Sequence, residues 1–514
     1  MSTAPATARP DARLTDGRRP RVLIVGGGLA GLAAAAALAP RGCEAIVLES
    51  RPRLGGRASS FLDKTTGERV DNCQHVAMGC CTNFLHLCAE AGLSGLLSEQ
   101  GEVTFLLPDG TVSRLGESRP GGRSLPAPLH LAASFARLGH FTAGEKRRLA
   151  AGVRALAKTS GGAGEAFAGW LAANGQTDRI VSRFWEPVLV SALSETPDRM
   201  NVADARKVIV DGFLAHPAAW RVFVPTVPLD VLYGEKLLGW LEGLGVTVRT
   251  GAGVRRIEPA GGGEPVRLTL RDGSEEAADH VVVAVPHHRA AGLFPDAFAD
   301  ASGLTAAAGL ETAAISSVHV WFNREITPLP HVVLPERTSQ WVFNRTRLHQ
   351  VREPEAQARE AAPDAAAASV PSLALRAHEQ RGRYYFQVVI SASDALKSRP
   401  QSEVIEEVLN ELPEAFPAAR EATVEHVRMV TEHRAVFAPL PGHHALRPPP
   451  GAFHHPRVHL AGDYTATGWP ATMEGAVRSG YAAAESVLDG EGRPESILRP
   501  DLPVGRLARW LGFA

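Results

Sequence analysis

Apolar positions along the chain fall into two patterns. Short unbroken runs suit strands buried on both faces, and longer stretches at helical spacing suit helices packed on them. Residues 21–25 form an apolar, β-branched run closed by glycines, which predicts a buried strand. An alanine-rich helix follows and ends at Gly42, and residues 45–48 give a second apolar strand finishing on Glu49. Residues 229–248 read as an amphipathic helix entering the strand VTVRT. Residues 251–286 then read as strand, turn, strand, Asp-Gly turn and a buried strand. Residues 457–488 give a short strand, a glycine turn, a loop and a helix. Between these stretches, residues 126–211 are dominated by helical patterns. Residues 315–322, 384–391 and 424–431 alternate or run apolar as strands do, and no internal repeat emerges.

The first strand carries chemistry at its end. Gly26, Gly28 and Gly31 stand in G-x-G-x-x-G spacing and open the helix, with the acid Glu49 about twenty residues beyond. Such a complete βαβ unit is a dinucleotide-binding fingerprint. Gly26 permits the tight turn, Gly28 lets backbone approach a pyrophosphate, and Gly31 allows close helix–strand packing. The helix N-terminus offers free N–H groups to phosphate, and Glu49 can accept the hydroxyls of a ribose.

Composition narrows the class. A chain of 514 residues exceeds the size at which single cores stop growing and should form two lobes. The net charge of −1, from 54 basic and 55 acidic residues, gives no electrostatic case for nucleic acid. Cys43, Cys73, Cys80, Cys81 and Cys88 suit neither a disulfide framework nor a paired C-x-x-C metal spacing. Reduced thiols, a cytoplasmic location and no metal site are therefore expected. Residues 22–39 lack charge and follow a basic run, so they mimic a membrane segment, but the βαβ continuation accounts for them better. Composition predicts a disordered leader over 1–20 and a mobile low-complexity insertion over 351–372.

Three motifs together carry a family resemblance. SRPRLGGRASS, with Arg51, Gly55, Gly56 and Arg57, resembles the second glycine motif of FAD oxidoreductases in the amine oxidase and phytoene desaturase superfamily. Residues 461–480 resemble the closing FAD motif of that superfamily. The segment VDNCQHVAMGCCTNFLHLCAEAG is similar to the matching region of hydroxysqualene dehydroxylases through Asp71, Asn72, Gln74, His75, Gly79, Cys80, Cys81, Thr82 and Asn83. Residues 315–330 fit the same family, and Cys73 stands where a glycine is expected.

The resemblance implies an α/β plus α+β fold, a two-lobed FAD oxidoreductase. Its Rossmann-like FAD lobe would be assembled from residues 21–95, 225–290 and 451–490. Its mixed substrate lobe would comprise a helical part, 96–224, and a β-sheet part, 291–450. It implies tight, non-covalent FAD, with Gly55 and Gly56 passing the pyrophosphate and Arg51 and Arg57 donating to the cofactor. Val254 would touch the adenine through backbone groups, and Gly462 and Asp463 would meet the ribityl chain. The helix opening at Thr472 and Met473 would favour negative charge on the flavin pyrimidine.

The implied reaction is reductive dehydroxylation of hydroxysqualene to squalene, a step of hopanoid synthesis, with His75 as proton donor and Gln74 holding the hydroxyl. A structural reading, in which His75 caps a turn and Asp71 satisfies backbone N–H groups, suits the segment at least as well. Ser316, Ser317 and His319 are weaker candidates. A carotenoid desaturase and a non-catalytic flavin-binding subunit of an isoprenoid complex remain as alternatives. An isoprenoid substrate implies docking on the inner face of the cytoplasmic membrane and association with other squalene-synthesis enzymes. The tail, 491–514, could dock through Leu502, Leu507, Trp510, Leu511 and Phe513, with Arg499, Arg506 and Arg509 toward headgroups.

Overall fold

The apolar runs near the N-terminus become the centre of a six-stranded sheet. Arg21–Val25 pairs in parallel with Glu44–Leu48 on one side and His280–Val283 on the other. Thr247–Arg249 and Val458–Leu460 extend the parallel array outward, and Gly451–Ala452 closes one edge antiparallel. The computed structural model describes residues 18–259, 261, 264–350 and 382–513. Most of the expected leader and all of the 351–372 insertion lie outside the described residues.

Both faces of this sheet are covered, which is why its strands are continuously apolar rather than alternating. Every residue of the helix Leu29–Leu38 is buried. It packs with Val22, Ile24, Val47 and residues of the long helix Met473–Gly490 in one core. The other face carries the antiparallel sheet Val254–Glu258, Val266–Leu270 and Glu275–Ala278.

The second sheet has seven strands in the order Val424–Phe437, Thr312–Phe322, Tyr384–Ile390, Trp341–Asn344, His331–Val333, Glu102–Leu106 and Val112–Gly116. The helix Gln401–Ala415 packs on one face through Val404, Val408 and Leu412. A separate helical layer, including Ala143–Lys158 and Val202–Ile209, closes around Trp185, Phe167 and Leu189.

Two expectations need correction. The stretch 96–224 is not helical throughout, because Glu102–Leu106 and Val112–Gly116 form a hairpin on the edge of the seven-stranded sheet. Its Asp109-Gly110 turn is a hairpin signal, yet each flanking run is only five residues long, too short to establish a period. The tail also turns inward. Phe513 and Ala508 are buried against Ala127, Ala157 and Val210, which removes their apolar area from water. Arg499 is bound to His86 and Asn83 rather than presented outward. Trp510 alone among the five tail hydrophobics is strongly exposed, at 81%.

Candidate cofactor and active site

The glycine fingerprint builds a cradle open on one side. A Cβ on Gly31 would lie 2.0 Å from the Gly26 carbonyl oxygen, so helix and strand end meet in backbone contact. Gly28 bridges Gly55, and a Cβ there would meet nothing nearer than the Gly56 Cα at 4.0 Å. Gly28 is the N-cap of Leu29–Leu38, and no side chain caps the helix although its first turn is buried. A buried helix N-terminus without a capping partner calls for an anion, and phosphate fits. Glu49 lies beside it with its carboxylate already oriented: Gly27 N–H donates to Oε2 at 2.7 Å and Arg51 N–H donates to Oε1 at 2.7 Å. The remaining lone pairs suit ribose hydroxyls. Arg51 is exposed and its Nη1 lies 3.5 Å from the Gly56 carbonyl. Val254 opens its strand nearby, where Ala252 N–H donates to the Glu49 carbonyl.

The closing motif meets the second glycine motif directly. Arg57 Nη2 donates to Asp463 Oδ1 at 2.5 Å, and Nη1 donates to the Ala435 carbonyl of the seven-stranded sheet. One guanidinium thus joins the second glycine motif and the closing motif to the seven-stranded sheet. Although burial alone disfavours its charge, Asp463 holds Arg57 above the ordinary value and firmly cationic. Gly462 N–H is fixed by Ser479 Oγ at 2.8 Å. Thr472 caps the helix Met473–Gly490 by accepting from Gly475 N–H, and Met473 Sδ accepts from Tyr233 O–H at 3.4 Å. Gly480 lets that helix cross Leu29–Leu38 closely, since a Cβ there would lie 2.2 Å from the Ala30 carbonyl.

Three residues that sequence reasoning missed hold the site together. Glu474, fully buried, accepts from the Asn83 and Phe84 backbone N–H groups and from Asn83 Nδ2, so it ties residues 70–83 to the closing helix. Burial pushes its pKa above the usual carboxylate value, against the pull of those donors. Arg447 Nη2 donates to the Asp463, Thr465 and Trp469 carbonyls, and Nε to that of Tyr464, which clamps the cofactor loop. Arg345, 1% exposed, pairs with Asp71 Oδ2 at 3.1 Å and donates to Gln74 Oε1 at 2.5 Å. None had a usable signal, because each partner is remote in sequence.

His75 and Gln74 stand on the turn that this pair fixes. Gln74 spends its oxygen on Arg345 and one amide proton on the His75 carbonyl, leaving its second proton for a ligand. His75 Nδ1 lies 3.0 Å from the Cys73 carbonyl, so that nitrogen carries the proton in the neutral ring. Nε2 has no hydrogen-bond partner among the described residues. Burial pushes the His75 pKa below its ordinary value, opposed by the Cys73 carbonyl and the Asp71 carboxylate. Cys73 is buried, which raises its thiol pKa to about 11.

The other candidates lie deeper. His319 Nδ1 pairs with Tyr385 Oη at 2.7 Å, and burial lowers its pKa to about 3. Ser317 Oγ accepts from Gln387, and Ser316 Oγ donates to Ser393. Among the described residues no helix is long and apolar enough to cross a membrane.

Comparisons with known proteins agree with this architecture. Residues 236–488 match the family model for flavin containing amine oxidoreductases, and residues 24–97 match that for NAD(P)-binding Rossmann-like domains. The chain is 30% identical over 491 residues to a hydroxysqualene dehydroxylase of Rhodopseudomonas palustris, covering 91% of this chain and 98% of that one. It is 25% identical over 508 residues to a 15-cis-phytoene desaturase of Solanum lycopersicum, covering 95% of this chain and 80% of that one. An oxidoreductase of Methanosarcina mazei shares the fold, with a TM-score of 0.63 at 16% identity, covering 91% of this chain and 100% of that one.

Proposed function

Because the chain belongs to the hydroxysqualene dehydroxylase family of FAD-dependent oxidoreductases, we propose that it reduces hydroxysqualene to squalene. The observation that supports this most is similarity along nearly the whole length of the Rhodopseudomonas relative, including residues 70–83 beside the cofactor cradle. An FAD-dependent oxidoreductase acting in isoprenoid metabolism is the coarser statement, and it stands independently of the substrate.

When bound, reduced FAD supplies a hydride. The substrate carbon takes that hydride, its C–O bond breaks, and the oxygen leaves as water with one added proton. In this reading the Gly28 cradle with Gly55 and Gly56 would lie against the pyrophosphate, Gly26 and Gly31 would permit the turn and the helix packing behind it, Glu49 would hold the ribose, and Val254 the adenine. Arg51 would neutralise phosphate charge, whereas Arg57, expected to donate to the cofactor, is instead paired with Asp463 and holds the closing loop. Gly462 and Asp463 position the ribityl chain, and the helix end at Thr472 and Met473 stabilises charge on the flavin pyrimidine. Gln74 donates its free amide proton to the substrate hydroxyl. His75 gives the proton from Nε2, and its cationic form is supported by Asp71 and the Cys73 carbonyl.

Purified protein incubated anaerobically with reduced FAD and hydroxysqualene should yield squalene, identified by mass. No squalene together with conversion of phytoene under oxidising conditions would replace this reading with the desaturase. Absence of turnover on both would favour the non-catalytic subunit.

The protein is also proposed to collect its apolar substrate at the bilayer surface, near the other squalene-forming enzymes. Exposed Trp510, flanked by exposed Arg506 and Arg509 on the helix Arg506–Trp510, supports this. Trp510→Ser should reduce flotation with anionic liposomes; equal flotation would move the contact elsewhere.

A further inference from the structure

A buried cluster away from the cofactor cradle has no place in this chemistry. Asp204 lies in the first turn of Val202–Ile209, in the helical layer, and His443 and His444 lie in the turn His443–Leu446. His443 Nε2 is 3.4 Å and His444 Nε2 is 3.6 Å from Asp204 Oδ2. All three ligand atoms fall within 4.8 Å of one another.

The hydrogen bonding around His443 assigns its proton. His443 Nδ1 is 2.7 Å from the Leu440 carbonyl, an acceptor only, so Nδ1 carries the proton. Asn201 Nδ2 also approaches Nδ1 at 3.3 Å, but its two protons are directed at the Pro439 carbonyl and Asp204 Oδ2, each at 2.7 Å. In the neutral His443 ring, Nε2 is then a bare lone pair facing a carboxylate oxygen. The His443 side chain is 3% exposed, and Nε2 of both imidazoles is buried with no hydrogen-bond partner among the described residues. The His443 lone pair and the Asp204 carboxylate oxygen repel, and a cation between them reverses the sign of that contact.

We propose that Asp204, His443 and His444 form a binding site for a divalent transition-metal ion of the zinc type. Two imidazoles and one carboxylate are a borderline nitrogen and oxygen set that suits zinc. Zinc bonds of ~2.0–2.1 Å place neighbouring ligands roughly 3–4 Å apart, which the two nitrogen–oxygen separations match. The Leu440 carbonyl on His443 Nδ1 is the outer partner that holds a metal-ligating histidine in the correct tautomer. Asn201 does the same for the carboxylate. The ligands come from segments far apart in the chain, so no sequence spacing betrays them.

The site would act as a clamp. It joins the helical layer to the turn immediately before Arg447, whose guanidinium grips the carbonyls of residues 463–469. Zinc binding would thereby stiffen the loop bearing Asp463 without entering the flavin chemistry. This inference is independent of the substrate.

The test uses tag-free, FAD-loaded protein dialysed against a chelator and titrated with zinc chloride alone. Wild type should bind one zinc per chain and melt at higher temperature when loaded. Cobalt in its place should give the visible absorption of a low-coordinate nitrogen and oxygen site. His444 is the most exposed ligand, so His444→Ala should keep its flavin while binding zinc at least about tenfold more weakly. Asp204→Asn, which keeps the shape, should do likewise. A wild type that binds no stoichiometric zinc, or variants that bind it unchanged, would overturn the proposal.

Discussion

At the scale of single residues, function rests on pairs that join distant parts of the chain. Glu49 and the glycine spacing were legible because the cradle and the proposed ribose acceptor occupy one continuous βαβ stretch. Arg57 and Asp463 were each legible from their own motif, but their contact was not. Arg345, Arg447 and Glu474 were invisible, because a buried charge is recognised by its partner and those partners lie elsewhere in sequence. His75 was legible only through the family resemblance, and its chemistry follows from its surroundings. As the proposed proton donor it must carry a proton in order to give one, and burial lowers the pH at which it does so. Turnover is therefore expected to be highest on the acid side and to fall about tenfold per pH unit above the lowered pKa. His75→Ala should reduce turnover by about a hundredfold or more, flatten that profile, and leave the flavin content intact. A pH–rate profile unchanged by the substitution would remove His75 from the proton-transfer step.

At the scale of elements, the buried parallel strands were legible because two covered faces demand unbroken apolar runs. The hairpin Glu102–Leu106 and Val112–Gly116 was lost, since two five-residue runs cannot establish a period. How closely the first and last motif helices cross was also hidden, because Gly480 is ordinary in sequence and significant only against Ala30. Gly480→Val should force those helices apart and move the cradle relative to the closing loop. The expected result is a stably expressed protein with most of its flavin lost, read as flavin absorbance per chain. Full flavin content would show that the crossing tolerates a side chain and that the two motifs are less tightly coupled.

At the scale of the molecule, both sheets and the helical layer bury neutral histidines. Burial lowers the pKa of His319 and His459 to about 3, and that of His140 and His331 to about 4. In the unfolded chain these groups titrate near ~6.5. Above that pH both states leave them neutral and native stability is complete. As pH falls from there toward 4, the unfolded state takes up protons first, so stability is lost over that window. Denaturation midpoints measured at neutral pH and at about pH 5 should show a clear drop. Equal midpoints would mean that these rings are more open to solvent than their burial indicates.

The central claim is the direction of electron flow, from the flavin to an isoprenoid alcohol. It is tested by mixing photoreduced, FAD-loaded protein with hydroxysqualene in a single anaerobic turnover while following the flavin spectrum and the product together. The oxidised flavin spectrum should return with one squalene formed per flavin. A flavin that stays reduced with hydroxysqualene, yet is bleached from its oxidised form by a polyene precursor, would contradict the claim.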